Sequence, residues 1–374
     1  MIYSICIILL QRSYRKDIIM NFFWLRDKGE QIYDELKRGM IRRYNRKECK
    51  KRLNGALTKE QIQQIQTFFK PYQNVTTMFH QMYYEKTEIF SEKHLPTDVY
   101  INVVDEYFNN SRESKYLDNK CYYRTMLAGV RQPDFALARI GGFWYDSEMQ
   151  VIKTEQIEQI ANSADALFAK IATGSCGGKG VQFLSKDKGS MYSQLKQFAS
   201  GVNTDIIVQY PVKQHSALNA VNESSVNTIR LISLLTENGP KIYSTVLRAG
   251  VQGKKVDNYS SGGVTIGIDC EGKLKKYAYN AKGERFERHP TSGLVFEGHL
   301  IPGIEKAREL VTKAHPMLPH FRLVSFDVAI NDAAEPVLIE VNLAKGDIEM
   351  HQFNNGPLFG EDTEKVLNEV YGVQ

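Results

Sequence analysis

Residues 323–342 read LVSFDVAI-NDAAE-PVLIEVN. Two runs rich in Val, Ile and Leu, each interrupted by one acid, flank the turn formers Asn331-Asp332, which predicts antiparallel strands over Leu323–Ile330 and Val337–Val341. Asp327 precedes Glu340 by 13 residues, so the hairpin carries both carboxylates toward one point. Glu340 and Asn342 are two apart and project from the same strand face. Each acid alone reads as a solvated strand residue. Together, two carboxylates and an amide among aliphatic neighbours are costly to bury without a cation. Hard oxygen donors of this kind suit Mg2+, which keeps several waters and bridges to substrate phosphates.

Upstream, Ala169-Lys170-Ile171-Ala172 runs as a strand into Thr173-Gly174-Ser175-Cys176-Gly177-Gly178-Lys179-Gly180-Val181. Glycines let backbone N–H groups approach phosphate oxygens, and lysines bring compact positive charge to the same oxygens. The segment is not a P-loop, because Thr173 stands where that motif needs glycine and Gly180 replaces the hydroxyl residue after the lysine. Cys176 likewise breaks a dinucleotide fingerprint. A plain hairpin turn is the alternative. Gln209-Tyr210-Pro211-Val212 ends a strand in proline, leaving backbone groups to meet an adenine edge. Arg230 and Arg248 fall on adjacent predicted strands, Thr228–Leu235 and Lys241–Ala249, and Asn258 follows in Asn258-Tyr259-Ser260-Ser261-Gly262-Gly263. Guanidinium forks hold carboxylate or phosphate oxygens, or pair with surface acids. His289, just before a proline, reads as a loop residue, with substrate orientation as the other option.

Around these motifs the chain is that of a globular protein with more than one lobe. It has 374 residues, 42% hydrophobic and 24% charged. Its 48 basic and 43 acidic residues leave a net +5, too small to call for nucleic acid. Five scattered cysteines, never in a Cys-x-x-Cys pair, suggest neither a disulfide framework nor a zinc ribbon and fit a reducing cytoplasm. The run Ile2–Leu10 is too short to span a bilayer and reads as a buried or interfacial start, and Met20 opens a second hydrophobic stretch. From Glu30 to Lys120 the pattern is mostly helical, with a capping box at Thr58 and Gln61 ahead of Ile62, Ile65, Phe68 and Phe69, and a stop at Pro71. Between Lys37 and Arg52, nine of sixteen residues are Lys or Arg and Glu48 is the lone acid. This is either a solvated helix face or a segment that meets a membrane face or a phosphate-bearing carrier lipid. Further strands are expected at Leu167–Ala172 and Asp205–Gln209, with helices at Thr154–Ala164, Ile304–Ala314 and Thr363–Tyr371. The mixture predicts an α+β fold.

The order of cradle lysine, hinge, arginine strands, Asp and Glu-x-Asn resembles the ATP-grasp superfamily of carboxylate–amine ligases, over about 250 residues from Lys120 onward. Within it, Ser224 to Arg230, His289-Pro290-Thr291-Ser292-Gly293, Ile301-Pro302 and Gln352 look like the sugar-transfer-associated proteins of bacterial exopolysaccharide biosynthesis. The resemblance implies two α+β lobes clasping ATP behind a helical N-terminal region. The expected division is 1–115 for that region, 116–210 for the lobe with the glycine loop and 211–374 for the lobe with the metal strands. It further implies that Lys120, Lys170, Gly174, Gly177, Gly178, Lys179 and Gly180 hold nucleotide phosphates, and that Gln209, Tyr210 and Val212 hold adenine. Arg230, Arg248 and Asn258 would act on the transferred group, and Asp327, Glu340 and Asn342 would ligate Mg2+. The implied activity is a cytoplasmic ATP- and Mg-dependent ligase acting through an acyl phosphate in cell-surface polysaccharide biosynthesis. Its partners would be ATP and a carboxylate/amine pair such as a sugar acid or amino sugar. A kinase for a sugar or lipid-linked hydroxyl, or a non-catalytic nucleotide-binding regulator, are the alternatives on the same scaffold.

Overall fold

Strand-forming residues arrive in two bursts, and each burst closes its own antiparallel sheet. The computed structural model describes residues 16–109, 113–114, 117–174, 180–251 and 262–373. Ile2–Leu10, Gly177, Gly178, Lys179 and Asn258 lie outside the described residues. The chain divides into two compact units, Met1–Lys51 and Arg52–Gln374. In the first, Lys16–Lys50 is one 35-residue helix. No helix among the described residues is long and apolar enough to cross a membrane.

The second unit begins with helices. Thr58 accepts from the Gln61 N–H while the Gln61 side chain accepts from the Thr58 N–H, so the expected capping box starts helix Lys59–Phe69. Helix Met78–Thr87 follows, then a continuous helical run of Thr97–Val99, Tyr100–Val104 and Asp105–Phe108. The middle piece is over-wide: the Asp105 N–H donates to Tyr100 O, five residues back, a π-helical turn of the kind that gathers at functional sites.

The smaller sheet comprises β1 (Phe135–Ile140), β2 (Phe143–Tyr145), β3 (Ala166–Ile171), β4 (Val181–Ser185) and β5 (Ile206–Gln209) in the order β2-β1-β5-β3-β4. Helices Thr154–Ser163 and Met191–Ser200 bury Ile157, Ala161, Met191 and Leu195 against Leu137, Leu167 and Val208. The larger sheet comprises β6 (Thr228–Thr236), β7 (Gly239–Ala249), β8 (Val264–Ile268), β9 (Leu274–Asn280), β10 (Arg285–Phe286), β11 (Leu323–Ile330) and β12 (Pro336–Asn342), ordered β10-β9-β8-β7-β6-β11-β12. One of its faces packs Ile229, Leu231, Leu247 and Phe326 against Ile304, Ala307, Val311 and Ala314 of helix Ile304–Ala314. The other face is divided. Toward one end Ile232, Leu234 and Leu323 join Ile65, Phe69, Tyr100, Val104 and the C-terminal helix Thr363–Tyr371. Toward the other end it is polar.

The helices at Ile304–Ala314 and Thr363–Tyr371 have the expected bounds, and β11 coincides with the expected strand. β1, β2, β4, β8, β9 and β10 are strands that sequence reading left unassigned. They are short or carry charge, as in Leu274-Lys275-Lys276, and are held by pairing with stronger neighbours more than by their own propensity.

Candidate active site

β11 and β12 form the expected hairpin, with Asp327 opposite Glu340 and Ser325 opposite Asn342. Those four side chains therefore share the polar face. The register slips between Asp327 and Val328, where Val328 meets Leu338, so β12 carries one extra residue and a bulge beside Glu340. Tyr123 pins this point: its hydroxyl donates to Val341 O at 3.1 Å and accepts from Val341 N–H at 3.4 Å.

Antiparallel pairing also sets Asp327 opposite Arg230 on β6, and Thr228 opposite Arg248 on β7. Arg230 donates through Nε and Nη2 to Asp327 Oδ1 and Oδ2 at 2.6 and 2.7 Å, and Arg248 Nη1 donates to Oδ2 at 2.6 Å. All three side chains are buried. Burial alone would raise the Asp327 pKa, but the two guanidiniums hold it at about 2. The same partnership raises Arg230 further above its usual range against the opposing effect of burial.

The lysines come from the smaller sheet and the segment that precedes it. The Lys120 N–H donates to Ala172 O, and its Nζ lies 2.7 Å from Glu340 Oε1, joining the smaller sheet's surroundings to β12. Lys170, on β3, donates to the Gln209 side chain at 3.0 Å. Burial lowers the Lys170 pKa to about 8, opposed by the Glu340 charge and reinforced by Lys120. Lys120, Lys170, Gln209 and Glu340 thus form one polar cluster, next to the Arg230–Asp327–Arg248 group. Asn342 is half-buried and its amide donates to Ser325 O at 3.4 Å. Gly174 and Gly180 flank the undescribed part of the loop with φ of +67° and +76°, and a Cβ on Gly180 would lie 2.5 Å from Ile171. Tyr210 is exposed at the strand end, but its N–H is taken by Asp134 O, which leaves less free backbone at Gln209 to Val212 than the proline suggested.

Three features at this site were not picked out by the sequence reading. Asp347, five residues after Asn342, is exposed and accepts from the Glu349 N–H at 2.9 Å. Its charge interacts with those of Glu349, Arg230 and Arg52. His351 is buried, with Nδ1 2.7 Å from Ser244 Oγ and Nε2 lacking a hydrogen-bond partner among the described residues. Burial and the nearby Arg230 lower its pKa to about 3, so it is neutral. Arg52, the first residue of the second unit, clamps Glu349 at 2.7 and 3.2 Å at the start of helix Glu349–Asn355. An acid soon after Glu-x-Asn and ahead of a helix was the available cue for Asp347. Arg52 stood in the basic run and could not be singled out. His289 has a scaffold role: Nε2 is 2.9 Å from Gly250 O, and Nδ1 accepts from the Thr291 and Ser292 N–H groups.

The donor set fits a polyanion. Lys170 is a half-buried ammonium whose hydrogen-bond partner is a neutral amide oxygen, and an anionic ligand would restore its ordinary pKa. For a divalent ion, no group of three or more His, Cys, Asp or Glu side chains among the described residues is arranged to hold a metal. The oxygens present are Glu340 and Asn342, both reachable by solvent, and Asp327, whose two oxygens already accept three guanidinium hydrogen bonds. An all-oxygen set of this size suits Mg2+ completed by water and phosphate oxygens, not a closed protein cage.

Among solved structures the fold is similar to the D-alanine-D-alanine ligase from Coxiella burnetii, at 9% identity and TM-score 0.42 over 70% of this chain and 60% of that one. It is also similar to the Bacillus anthracis D-alanine–D-alanine ligase, at 15% and 0.40 over 70% and 68%. The biotin carboxylase domain of Hydrogenobacter thermophilus 2-oxoglutarate carboxylase matches at 11% and 0.44 over 72% and 48%. This chain therefore spans less than two thirds of two of these three proteins. No curated protein matched the sequence. The family described as sugar-transfer associated ATP-grasp matches residues 103–368, which covers both sheets, both lysines, both arginines and the Asp327–Asn342 hairpin, and the chain belongs to that family.

Proposed function

We propose that the protein is an ATP- and Mg-dependent ligase that joins a carboxylate to an amine, with 116–210 and 211–374 as the two lobes around the nucleotide. A substrate carboxylate oxygen attacks the γ-phosphorus of ATP, the bond to ADP breaks, and an acyl phosphate forms. The amine nitrogen then attacks the acyl carbon, inorganic phosphate leaves, and the nitrogen loses a proton. Such a transfer needs alignment and charge neutralisation more than covalent help from the protein. Lys120, Lys170 and the loop from Gly174 to Gly180 hold phosphates, with Gly177, Gly178 and Lys179 among them. Gln209 to Val212 face the base, and Arg230, Arg248 and Asn258 meet the transferred group. Glu340 and Asn342, with Asp327 behind them, would hold Mg2+, which when bound neutralises phosphate charge. The observation that carries the reading is the 2.7 Å pair between Lys120 and Glu340, flanked by a half-buried Lys170 whose hydrogen-bond partner is the Gln209 amide.

The carboxylate and amine we favour are a sugar acid or amino sugar of a surface polysaccharide and an amino acid, acted on in the cytoplasm. Support for that finer choice is the sugar-transfer description of the family. The test is ADP release by the purified protein across amino acids and uronic acids, with and without Mg2+. Turnover that needs both a carboxylate and an amine, with hydroxamate appearing when hydroxylamine is added, supports the ligase. A phosphate ester that survives hydroxylamine makes the protein a kinase. No ATP turnover with any pair overturns the reading.

A further inference from the structure

The helix Lys16–Lys50 has a surface that the nucleotide chemistry does not use. Ile32, Tyr33, Leu36, Met40 and Tyr44 are all between 58% and 65% exposed, although all five are large hydrophobic residues more at home in a core or an interface. Ile32, Leu36, Met40 and Tyr44 recur every four residues, and Tyr33 lies beside them. At 3.6 residues per turn the five occupy an arc of about 120° along one side of the helix. The same helix leads into the run from Lys37 to Arg52, in which nine of sixteen residues are basic and one is acidic. Arg42, Arg43, Lys47 and Lys50 are exposed. Of these, Arg43, Lys47 and Lys50 continue the line of the apolar stripe beyond Met40, and Arg42 lies about 80° to one side of it.

We infer that this helix face lies on an anionic lipid bilayer, with Leu36, Met40 and their neighbours entering the acyl boundary and the arginines and lysines meeting headgroup phosphates. Two observations select that occupant. The charge alone would serve any polyanion, but a nucleic-acid backbone offers no place for a row of aliphatic and aromatic side chains. The apolar stripe alone would serve a second protein chain, but a like-charged second copy would bring its own basic cluster into the interface. A bilayer with acidic headgroups takes both at once, and each basic residue near its surface adds to the attraction. The helix would then lie in the interface and not cross it, in keeping with the lack of any spanning helix among the described residues. This inference does not depend on the reaction proposed above, and its test does not use activity.

The test is co-sedimentation of the full chain with vesicles of phosphatidylcholine alone or mixed with phosphatidylglycerol. The protein should pellet with the mixed vesicles, stay in solution with phosphatidylcholine, and be released as salt rises to about 0.5 M. Arg42→Glu/Arg43→Glu/Lys47→Glu and Leu36→Ser/Met40→Ser should each weaken binding at least about tenfold, with the far-UV circular dichroism of each variant recorded beside the wild type. Should the serine variant fail to fold, Met40→Trp gives a second readout, a blue shift of emission on adding mixed vesicles and none with phosphatidylcholine. Wild-type protein that remains in solution overturns the inference. So does unchanged binding by the folded serine variant, displacement by an equal mass of duplex DNA, or a change of oligomeric state in that variant without vesicles.

Discussion

Asp327→Asn isolates the electrostatic centre of the larger sheet. The native carboxylate is 2% exposed and accepts three guanidinium hydrogen bonds of 2.6–2.7 Å from Arg230 and Arg248, themselves 8% and 7% exposed. Asparagine keeps the shape but removes the charge and presents N–H groups where an acceptor is needed. Two like-charged guanidiniums are then left buried side by side. Removing one partner of a buried ion pair costs about 3–5 kcal/mol, most of it the uncompensated charge that remains. With a urea slope of about 2.5 kcal/mol per molar, the unfolding midpoint should fall by about 1–2 M. The pH dependence adds a sign. Asp327 has its pKa depressed from 3.8 to about 2, so its contribution is complete above about pH 4 and disappears as pH drops through 2. The gap between wild type and variant should be flat near neutrality and close in strong acid. A second prediction of the same reasoning is non-additivity: adding Arg230→Met to Asp327→Asn should recover part of the loss, since it removes one of the stranded charges. A midpoint within about 0.3 M of wild type for the single variant would refute the assignment of Asp327 as counter-ion to both arginines.

Lys170→Met should abolish measurable ATP binding by calorimetry while leaving the unbound protein as stable as before or more so, because it deletes a half-buried ammonium that lacks a carboxylate partner. Wild-type stability should rise between pH 8 and 10.5, where the unfolded chain binds more protons than the folded one, by a total of roughly 3 kcal/mol, and the variant should lack that rise. Gln352→Ala should destabilise by about 2–4 kcal/mol in urea unfolding. The buried amide accepts from Leu95 N–H at 2.8 Å and donates to Leu95 O at 2.9 Å, and truncation leaves both backbone groups unpaired. Gly303→Ala should cost at least about 2 kcal/mol by thermal or urea unfolding, since φ is +78° and the new Cβ would lie 2.6 Å from Ala334 O.

Legibility in the sequence followed the strength of local patterns. Helix Ile304–Ala314 could be read to the residue because its apolar positions repeat at 3.6 and its interior lacks Gly and Pro. The β11–β12 hairpin was equally legible, since Asn331-Asp332 breaks two aliphatic runs. β9 was not, because Lys275 and Lys276 occupy its exposed positions and its strand character comes from pairing with β8. Chemistry behaved the same way. Lys170, Arg230, Arg248, Asp327 and Glu340 stood out as charges inside apolar strands, which is itself a signal because burial of a lone charge is unfavourable. Asp347 and Arg52 stand in polar segments where a charge is unremarkable, so only tertiary structure brings Asp347 near Arg230 and Arg52 onto Glu349.

Sequence reading also treated Asp327 and Glu340 as equals, and their surroundings make them different. They face each other across one ladder position, yet Asp327 lies on a central strand between β6 and β12 and is enclosed, whereas Glu340 lies on the edge strand beside a bulge, with its side chain a quarter exposed. An enclosed carboxylate held by two arginines has little freedom to change partners, because each exchange would strand a buried guanidinium. An edge carboxylate paired to one lysine can trade that partner at small cost, because solvent reaches it. If a cation and a polyanion arrive together, Glu340 would turn from Lys120 to the cation and the ammonium it releases would turn to the anion, so that both new charges find a partner for the loss of one edge-strand pair. The hairpin register therefore divides the work: Asp327 fixes the two arginines in place, and Glu340 is the carboxylate able to exchange partners.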